Sequence, residues 1–561
     1  MLSKIIKLII ILILFYQTPT YSKSTSFKNF NSKNLSKYFS GIVAFENKDI
    51  NGALNFFNSS KILLNEHDVF LKKYVYSLVL ENKTSQAINI VKQKKNEKTS
   101  NFFDANLLLI IDSLKKNNFD KAYDYSLNAS KNAQNNKFNL AIIEIIKQNI
   151  SVIKNKKISD SPKKFGKLSI ISEVFQKCYL EDSNTDKYFS NLINDVEGDY
   201  SRYNYFYISF LIQADRFIDA KKITNNINYI NSPLLLSQAK NWIEDEKIEK
   251  FASVFSCKNA NDIISEFLFL ISNLYSSQNN FDKSNYYLNL SYFLNPKFLF
   301  NLSLIAENQY SNKEFKKAKK TLANFKKEDN FYYWYRLKKE AEIIAKEKNK
   351  EDSLNYLASE FKKIEKPTNK ELLDMGNFYK NSKKYKEAII YYTKIIDVLN
   401  ENSEVKKDLF YRRGGSYERI GLFDKADKDL LDSLKINPED PYVLNYLAYS
   451  WLERNYKINE AIKMLEKAHS LKKNDPYILD SVGWAYYLTN DVLKAEKFLK
   501  KAVELMPNDP IVNDHYADIL WKLNRKIQAR YFWRNVLKMD DTEEDMKKKI
   551  NIKIIEGPKS S

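Results

Sequence analysis

Few side chains in this chain of 561 residues are of the types and spacings that carry metal or proton-transfer chemistry. The three histidines, His67, His469 and His515, lie far apart, and none stands at a metal-ligand spacing from a cysteine or another histidine. His515 lies between Asp514 and Tyr516, so a catalytic role is conceivable, but the pattern favours a partly exposed position on a helix. We therefore predict no metal site and no catalytic residue.

The sequence also lacks the motifs of other catalytic sites. It contains no Gly-rich phosphate-binding loop, no nucleophile elbow and no HExxH motif. The pair Gly414-Gly415 falls at a small position of a repeat and has a packing explanation. The pair Glu439-Asp440 precedes a predicted helix, where carboxylates favour the helix dipole. The sequence thus predicts a protein that is not an enzyme and carries no cofactor.

The segment from residue 476 to 537 consists of two copies of one unit of 34 residues. Gly483 and Ala495 in the first copy correspond to Ala517 and Ala529 in the second, and a large apolar residue stands four positions after the later small one. Small residues let two paired helices approach closely, and large residues fill the seam with the next pair. The unit is therefore predicted to be two helices joined by a tight turn.

The second small position recurs along the chain at intervals that are mostly 34 or 35 residues. It is occupied by Ala53, Ala87, Ala122, Ala220, Ser284, Ala318, Ser353, Ala388, Ala426, Ala461, Ala495 and Ala529. The first and last lie 476 residues apart, or fourteen intervals of 34, so three repeats are blurred, two between Ala122 and Ala220 and one near Ala252. We predict an all-α solenoid of about fifteen tandem helix-turn-helix repeats that forms a right-handed superhelix.

Composition agrees with a helical, non-membrane chain. Glycine and proline number 10 and 11, so 21 of 561 residues, about 4%, against roughly 12% in average proteins. Charged residues make up 29% of the chain, and the formal net charge is +20. Because the lysines are dispersed, the charge favours a solvated surface, and attraction to anionic lipid, polysaccharide or nucleic acid is the alternative.

A period of 34 residues with this pattern of small and aromatic positions resembles the tetratricopeptide repeat. Four C-terminal phrases, LNYLAYS (444–450), DSVGW (480–484), NDHYAD (513–518) and ARYFW (529–533), are similar to those of exported multi-repeat proteins of proteobacteria. The segment 38–57 is similar to the opening repeat of that family, so the resemblance covers most of the chain. It implies a repeat protein of the cell envelope without an agreed biochemical activity.

The predicted domain order is a signal peptide at 1–22, an N-terminal sub-solenoid at 34–199, a C-terminal solenoid at 200–541, and a capping helix with a tail at 542–561. The N-terminal sub-solenoid degenerates after about residue 131, and the polar, breaker-containing stretch 131–199 is predicted to be a bend between the two. The capping helix would cover the exposed last repeat, as solenoid ends require.

The amino terminus has the three-part layout of a secretory signal. Lys4 and Lys7 precede the apolar run 8–16, and Pro19 and small residues follow it up to Ser22. Cleavage after Ser22 would release an exported, periplasmic protein, whereas an uncleaved segment would associate it with the membrane. No cysteine lies near the site, so lipid attachment of the bacterial lipoprotein type is not supported.

Cys178 and Cys257 are separated by 79 residues, which is more than two repeats. Stacked helices stand about 8–10 Å apart, whereas a disulfide requires Cα atoms within about 7 Å. We therefore expect two buried thiols and no internal bridge.

The first helices of the repeats line a concave groove, which is the surface that such a solenoid offers to a ligand. The predicted groove residues of the last four repeats are Tyr411, Asn445, Tyr449, Asp480, Trp484, Tyr487, Asp514, Asp518 and Trp521. Aromatic anchors beside fixed polar groups suit peptide recognition. The alternative is that some of them, notably Trp484 and Trp521, pack between repeats.

The sequence therefore predicts a scaffold that holds a protein or peptide partner of envelope assembly in this groove, with no nucleic acid. The alternative is a basic protein that binds anionic lipid or polysaccharide through its dispersed lysines, with an affinity that falls steeply with salt. Partner identity and oligomeric state are not encoded in any recognisable motif.

Overall fold

The computed structural model describes residues 31–65, 68–94, 101–159, 162–228, 232–328, 330–400 and 403–558. Over these residues the protein contains thirty α-helices, one 3-10 helix (Lys61–Asn65) and no β-strand. The predicted all-α fold is confirmed. The predicted signal peptide, residues 1–22, lies outside the described residues. Of the helices described, none has the length and apolar character needed to cross a membrane.

The chain divides into two compact units. The N-terminal unit comprises the described residues within Met1–Ile227 and Asn231–Ile343, and the C-terminal unit those within Asn228–Ile230 and Ile344–Ser561. Each unit is a run of helices joined by short turns. The helix pairs are regular in the C-terminal unit, whereas the N-terminal unit contains irregular stretches.

The N-terminal unit contains seventeen complete helices within the described residues. They are α1 (Ser32–Glu46), α2 (Ile50–Ser59), α3 (Asp68–Leu80), α4 (Thr84–Gln93), α5 (Phe103–Lys115), α6 (Phe119–Asn132), α7 (Lys137–Asn155), α8 (Lys167–Tyr179), α9 (Thr185–Ile193), α10 (Tyr203–Gln213), α11 (Phe217–Asn225), α12 (Leu234–Glu244), α13 (Glu249–Val254), α14 (Ala260–Ser276), α15 (Phe281–Leu294), α16 (Phe300–Ser311) and α17 (Phe315–Leu322). The next helix, α18 (Asn330–Glu347), runs across the division between the units.

The C-terminal unit is a regular series of helix pairs. Its helices are α19 (Lys350–Phe361), α20 (Asn369–Asn381), α21 (Tyr385–Val398), α22 (Val405–Arg419), α23 (Phe423–Ile436), α24 (Pro441–Glu453), α25 (Ile458–Leu471), α26 (Pro476–Leu488), α27 (Val492–Leu505), α28 (Pro510–Lys522), α29 (Lys526–Val536) and α30 (Glu544–Glu556). The last of these lies where the sequence predicts a capping helix.

The small-residue register explains how the helices pair. All twelve small residues that define the repeat occupy the fourth position of the second helix of a pair, and none exposes more than 4% of its surface. The approach is tightest at Gly483, where a Cβ would lie 2.6 Å from Leu499 Cγ and 3.0 Å from Leu499 N. A larger residue there would push two backbones apart, so the small position is a condition of the pairing.

The turn inside each pair follows a second rule, which the sequence analysis did not use. In most pairs, the residue two positions before the second helix has a left-handed backbone. Asparagine, which tolerates this conformation better than most residues, occupies the position at Asn82, Asn117, Asn279, Asn490 and Asn524.

The three blurred repeats are irregular in different ways. Between Ala122 and Ala220 the chain forms the unpaired 19-residue helix α7 and the pair α8 and α9. Near Ala252, helix α13 has only six residues, and Ala252 itself, at the fourth position, is exposed. The regular repeat is thus interrupted in both stretches.

The division between the units falls after Ile343, whereas the sequence analysis placed it at 199/200. Helices α14 and α15 pack back against the start of the chain: Asn289 Nδ2 donates to the Val79 carbonyl at 2.8 Å, and the rings of Tyr76 and Tyr286 stack at 4.8 Å. Because of these contacts, the described residues within 200–227 and 231–343 belong to the N-terminal unit.

Cys178 and Cys257 form a disulfide, with their Cα atoms 5.9 Å apart, so the prediction of two separate thiols is wrong. The prediction assumed that the two cysteines are separated by more than two repeats of a regular helical stack. Instead, the short helices α8 to α13 surround one aromatic core, in which Phe255 contacts Phe175 and Phe206 with ring centroids 5.9 Å and 4.6 Å apart. This core brings the residues before α14 back to the end of α8.

Candidate partner-binding surface

The nine predicted groove residues all lie on the first helices of four successive pairs in the C-terminal unit. Tyr411 is on α22, Asn445 and Tyr449 are on α24, three more are on α26, and the last three are on α28. We call the face of α22, α24, α26 and α28 that carries these residues, together with the adjoining face of the first helix α20, the groove face. Its two ends differ in how far their side chains are already paired.

Trp484 on α26 is held by three neighbours. Its ring stacks on His515 with centroids 4.0 Å apart and on Tyr487 at 4.7 Å, and its Nε1 donates to Glu453 Oε1 at 2.9 Å. These contacts join α24, α26 and α28, so Trp484 packs between repeats, as one of the two interpretations predicted. The residue nevertheless remains partly exposed.

His515 is buried with 7% of its surface exposed, so the prediction of a partly exposed position is wrong. Its Nδ1 lies 2.9 Å and 3.0 Å from the two carboxylate oxygens of Asp480. Burial opposes protonation, but Asp480, together with Asp514 and Asp518, raises the pKa of His515 above its usual value. When His515 is protonated, the two side chains form an internal ion pair that fixes α28 against α26 and neutralises the charge of Asp480.

Asp514 and Asp518 on α28 are occupied by a lysine of the same chain. Lys553 Nζ from α30 lies 2.7 Å and 2.8 Å from the carboxylate oxygens of Asp514 and 2.8 Å from Asp518 Oδ2. Burial and the neighbouring Asp514 raise the pKa of Asp518 to about 6, although Lys553 opposes this effect. The capping helix thus supplies the cation for this acidic end of the groove face.

Trp521 and Tyr487 are also covered from within the chain. Gly557, which ends α30 with a left-handed backbone, lies so close that a Cβ there would stand 2.4 Å from the Trp521 ring. Lys522 lies 4.6 Å over the Tyr487 ring, and 8% of Tyr487 is exposed. Only glycine fits at 557, because both its conformation and the ring exclude a side chain.

The other end of the groove face is less fully paired. Tyr411 and Tyr449 are half-buried, and burial raises the pKa of both phenols. The side-chain oxygen Oδ1 of Asn445 is buried and accepts no hydrogen bond from the residues that the structure describes. Buried polar atoms are paired in most folded proteins, so this oxygen leaves one hydrogen-bonding capacity of the groove face unused.

Sequence analysis missed three cations beside this open end. Lys380 lies on α20, and Arg412 and Arg419 lie on α22. Arg412 Nη1 donates to Asn377 Oδ1 at 3.3 Å, whereas its Nε is buried and has no partner among the described residues. Burial, Arg412 and Arg419 all lower the pKa of Lys380. The spacing in the sequence could have indicated this placement. Lys380 stands three residues after Asn377 and Arg419 stands seven residues after Arg412, so each pair shares one face of its helix.

The described residues hold no group of three or more His, Cys, Asp or Glu side chains placed to bind a metal ion. His67 lies outside the described residues, and His469 packs edge-on against Phe498 with centroids 5.3 Å apart.

The family model of the tetratricopeptide repeat matches residues 372–398, which cover most of α20 and the whole of α21. This match falls in the regular unit, in the register defined by the buried Ala388. The segment 372–398 is a tetratricopeptide repeat.

A curated relative, the TPR repeat-containing protein PA4667 of Pseudomonas aeruginosa, is 34% identical to this chain over 89 residues. The match covers 16% of this chain and only 15% of the relative. Among solved structures, the thermophilic TPR protein TTC0263 of Thermus thermophilus has 17% identity and a TM-score of 0.29, covering 33% of this chain and 97% of its own. Yeast Tom70 has 15% identity and a TM-score of 0.36, covering 92% and 94%.

Proposed function

We propose that this protein is a non-enzymatic scaffold that binds a partner protein or peptide on the groove face of its C-terminal unit. The tetratricopeptide repeat fold is consistent with protein binding in general. The observation that carries the specific proposal is the contrast along the groove face. At the α26–α28 end most charged groups are paired within the chain, although the buried Asp518 Oδ1 lacks a hydrogen bond, whereas at the α20–α24 end both Arg412 Nε and Asn445 Oδ1 are buried without partners among the described residues.

The partner contacts are proposed to lie on α22 and α24, at Tyr411, Asn445 and Tyr449. The aromatic rings supply contact area at low entropic cost, and the partly exposed Asn445, whose Oδ1 has no hydrogen bond within the described residues, would turn its amide outward to accept one from a peptide N–H group. Trp484 would act as a rigid side wall, because its ring is stacked on His515 and Tyr487.

We further propose that the scaffold is exported and serves assembly of the bacterial cell envelope. Two observations support an exported location: the signal-like layout of residues 1–22 and the Cys178–Cys257 disulfide, since disulfides persist mainly in oxidising compartments. Envelope assembly as the pathway is supported only by the family resemblance.

The double substitution Asn445→Ala and Tyr449→Ala tests the binding surface. Mature protein carrying it should retain less than about a tenth of the partner captured by wild type from an envelope extract, because a hydrogen bond and a ring are lost together. Substitution at Trp484 or Asp518 would be less informative, since both also hold helices together.

The matched control is Tyr531→Ala, an exposed tyrosine on the second helix α29, which should capture as wild type does. Capture by the folded double variant at the wild-type level would contradict the proposed surface. Capture that disappears with salt for every variant alike would favour a basic protein that binds anionic lipid or polysaccharide.

A further inference from the structure

The second helices α27 and α29 carry exposed aliphatic side chains at a position that is otherwise polar. Leu493 and Ile527, each the second residue of its helix, expose 77% and 85% of their surfaces. The earlier second helices of the C-terminal unit hold polar residues at this position, namely Glu351, Lys386, Asp424 and Asn459. Single exposed apolar residues are common on protein surfaces, but two at the same position of adjacent repeats form a pattern.

Basic and aromatic side chains lie in line with these two residues. Residues spaced by four and by seven share a helix face, and in both helices the residues at these spacings are exposed. They are Leu493, Lys497 and Lys500 on α27 and Ile527, Tyr531 and Arg534 on α29, which we call the outer face. An ion pair between Arg525 and Glu496 joins the start of α29 to α27 and places the two rows side by side.

The positive charge of the outer face is not compensated. Lys497, Lys500 and Arg534 form no ion pair with any residue that the structure describes. The segment 519–539, which includes α29, contains six lysines and arginines and no acidic residue. Glu504, eleven residues after Leu493, adds a carboxylate in line with the row on α27, but the rows together remain basic. The outer face therefore suits an anionic surface.

This combination of side chains matches a lipid surface. Aliphatic side chains that protrude from a helix can enter the boundary between headgroups and acyl chains, while neighbouring lysines and arginines attract anionic headgroups. The Tyr531 ring, 62% exposed, has an apolar body and a polar hydroxyl, and tyrosine is enriched at that boundary. Lipid headgroups are mobile, so they can meet cations at any spacing, whereas a folded acidic protein needs carboxylates at fixed places.

We propose that the outer face docks the C-terminal unit onto a bilayer that contains anionic phospholipid. Leu493 and Ile527 insert beside the acyl chains, Tyr531 lies at the level of the headgroups, and the cations contact headgroup phosphates. The outer face lies on second helices and the groove face on first helices, so the two surfaces share no residue and a docked protein can still bind a partner. This inference goes beyond the proposed function and does not depend on it.

Sedimentation with lipid vesicles tests the docking. The protein used begins at residue 23, because the apolar run 8–16 would itself bind lipid, and the described structure begins at residue 31, so no described contact is lost. Vesicles of phosphatidylcholine and phosphatidylglycerol in equal parts are compared with vesicles of phosphatidylcholine alone. The protein should bind the anionic vesicles at least about tenfold more tightly. Equal binding to both kinds of vesicle, or binding to neither, would overturn the inference.

Two variants locate the docking surface. Leu493→Asn with Ile527→Asn removes both aliphatic side chains and copies Asn459 of α25, so the helices should still form. This double variant should bind anionic vesicles at least about tenfold more weakly, because the apolar contact is lost. Arg534→Met should weaken binding about fivefold, the factor expected for one cation near an anionic surface. Circular dichroism checks that both variants remain helical.

The matched control lies on earlier second helices. Ile390 on α21, 54% exposed, and Lys428 on α23, with its side chain 75% exposed, occupy the same helix position as Tyr531. Ile390→Asn with Lys428→Met should bind the anionic vesicles as wild type does. An equal loss in this control and in Leu493→Asn with Ile527→Asn would mean diffuse attraction of the whole basic chain and would overturn the inference.

Soluble polyglutamate separates a lipid surface from an acidic protein. Polyglutamate that binds as tightly as the anionic vesicles, with the same loss in Arg534→Met, would overturn the inference in favour of an acidic protein. The variant Leu493→Asn with Ile527→Asn should still capture the partner from a detergent-solubilised envelope extract. If wild-type protein binds no vesicle but captures a partner through Asn445 and Tyr449, the docking is wrong and the proposed function stands.

Discussion

The two units solve the same packing problem in different ways. The C-terminal unit repeats one helix pair with small residues at fixed positions, and it leaves part of its first-helix face unpaired. The N-terminal unit loses the register at α7 to α9 and again at α13. In its place it contains a disulfide and a buried ion pair between Arg202 and Glu266, 2.7 Å apart. Regular repeats are stabilised mainly by contacts between neighbouring helices. The irregular stretches of the N-terminal unit are also held by links between residues that lie far apart in the sequence.

Among the predicted changes, loss of the disulfide should cause the largest loss of stability, and it should destabilise only the N-terminal unit. Replacing both Cys178 and Cys257 by serine opens a loop of 79 residues, for which the chain-entropy relation gives about 4.5 kcal/mol. Hydrogen exchange followed peptide by peptide should show faster exchange in α8 to α14 and unchanged exchange in α20 to α29. Equal loosening of both units would contradict the division between them.

Substitutions of two helical glycines in the C-terminal unit should differ in their effect on the free energy of unfolding. Gly483→Ala places a Cβ 3.0 Å from a backbone nitrogen and should cost about 1–3 kcal/mol in the free energy of unfolding. Gly415→Ala meets only the Tyr446 ring and its hydroxyl, the latter at 3.4 Å, and should be neutral or stabilising by up to about 1 kcal/mol, because alanine favours a helix.

Urea denaturation monitored by circular dichroism measures both changes. A Gly483→Ala variant as stable as wild type would show that the close approach of helices α26 and α27 is not a condition of pairing.

The smallest expected effect is on pH dependence at the α26–α28 end. Neighbouring carboxylates raise the pKa of His515, so its contribution is complete below the unfolded value of about 6.5 and is lost as the pH rises through the folded pKa. The pKa of Asp518, raised from 3.8 to about 6, adds a loss of stability in the same direction between those two values. The segment 476–522 should therefore exchange more slowly at pH 5 than at pH 8, after correction for intrinsic rates.

His515→Gln should reduce this difference, and His469→Gln should enlarge it. Burial and three nearby lysines lower the pKa of His469, so its contribution has the opposite sign. The same change in both variants would show that the pH dependence does not arise from the Asp480–His515 pair.

The fold was predictable from the sequence because each helix pair is specified by a local pattern of small residues. A small residue every 34 or 35 positions is visible without any structure, and the twelve residues it selects are all buried in one register. The closure of the N-terminal unit was not predictable, because contacts such as Asn289 with Val79 join positions 210 residues apart and leave no periodic signal.

The candidate surface was only partly predictable for a related reason. The nine groove residues follow from the repeat register, since they share one face of the first helices. Which of them are already paired depends on α30, whose Lys553 reaches back to Asp514 and Asp518 over 35 residues or more. Lys380, Arg412 and Arg419 were hidden among dispersed lysines, and only the structure shows that they lie near one another.

Site-specific photocrosslinking tests the binding surface most directly. A benzophenone amino acid replaces Tyr442, an exposed residue of α24 three positions before Asn445, or the control Tyr531 on α29. Irradiation in the cell envelope should give one discrete crosslinked protein from position 442 and none from position 531. The same crosslinked band from both positions, or bands only from position 531, would contradict the claim that the groove face of the C-terminal unit binds the partner.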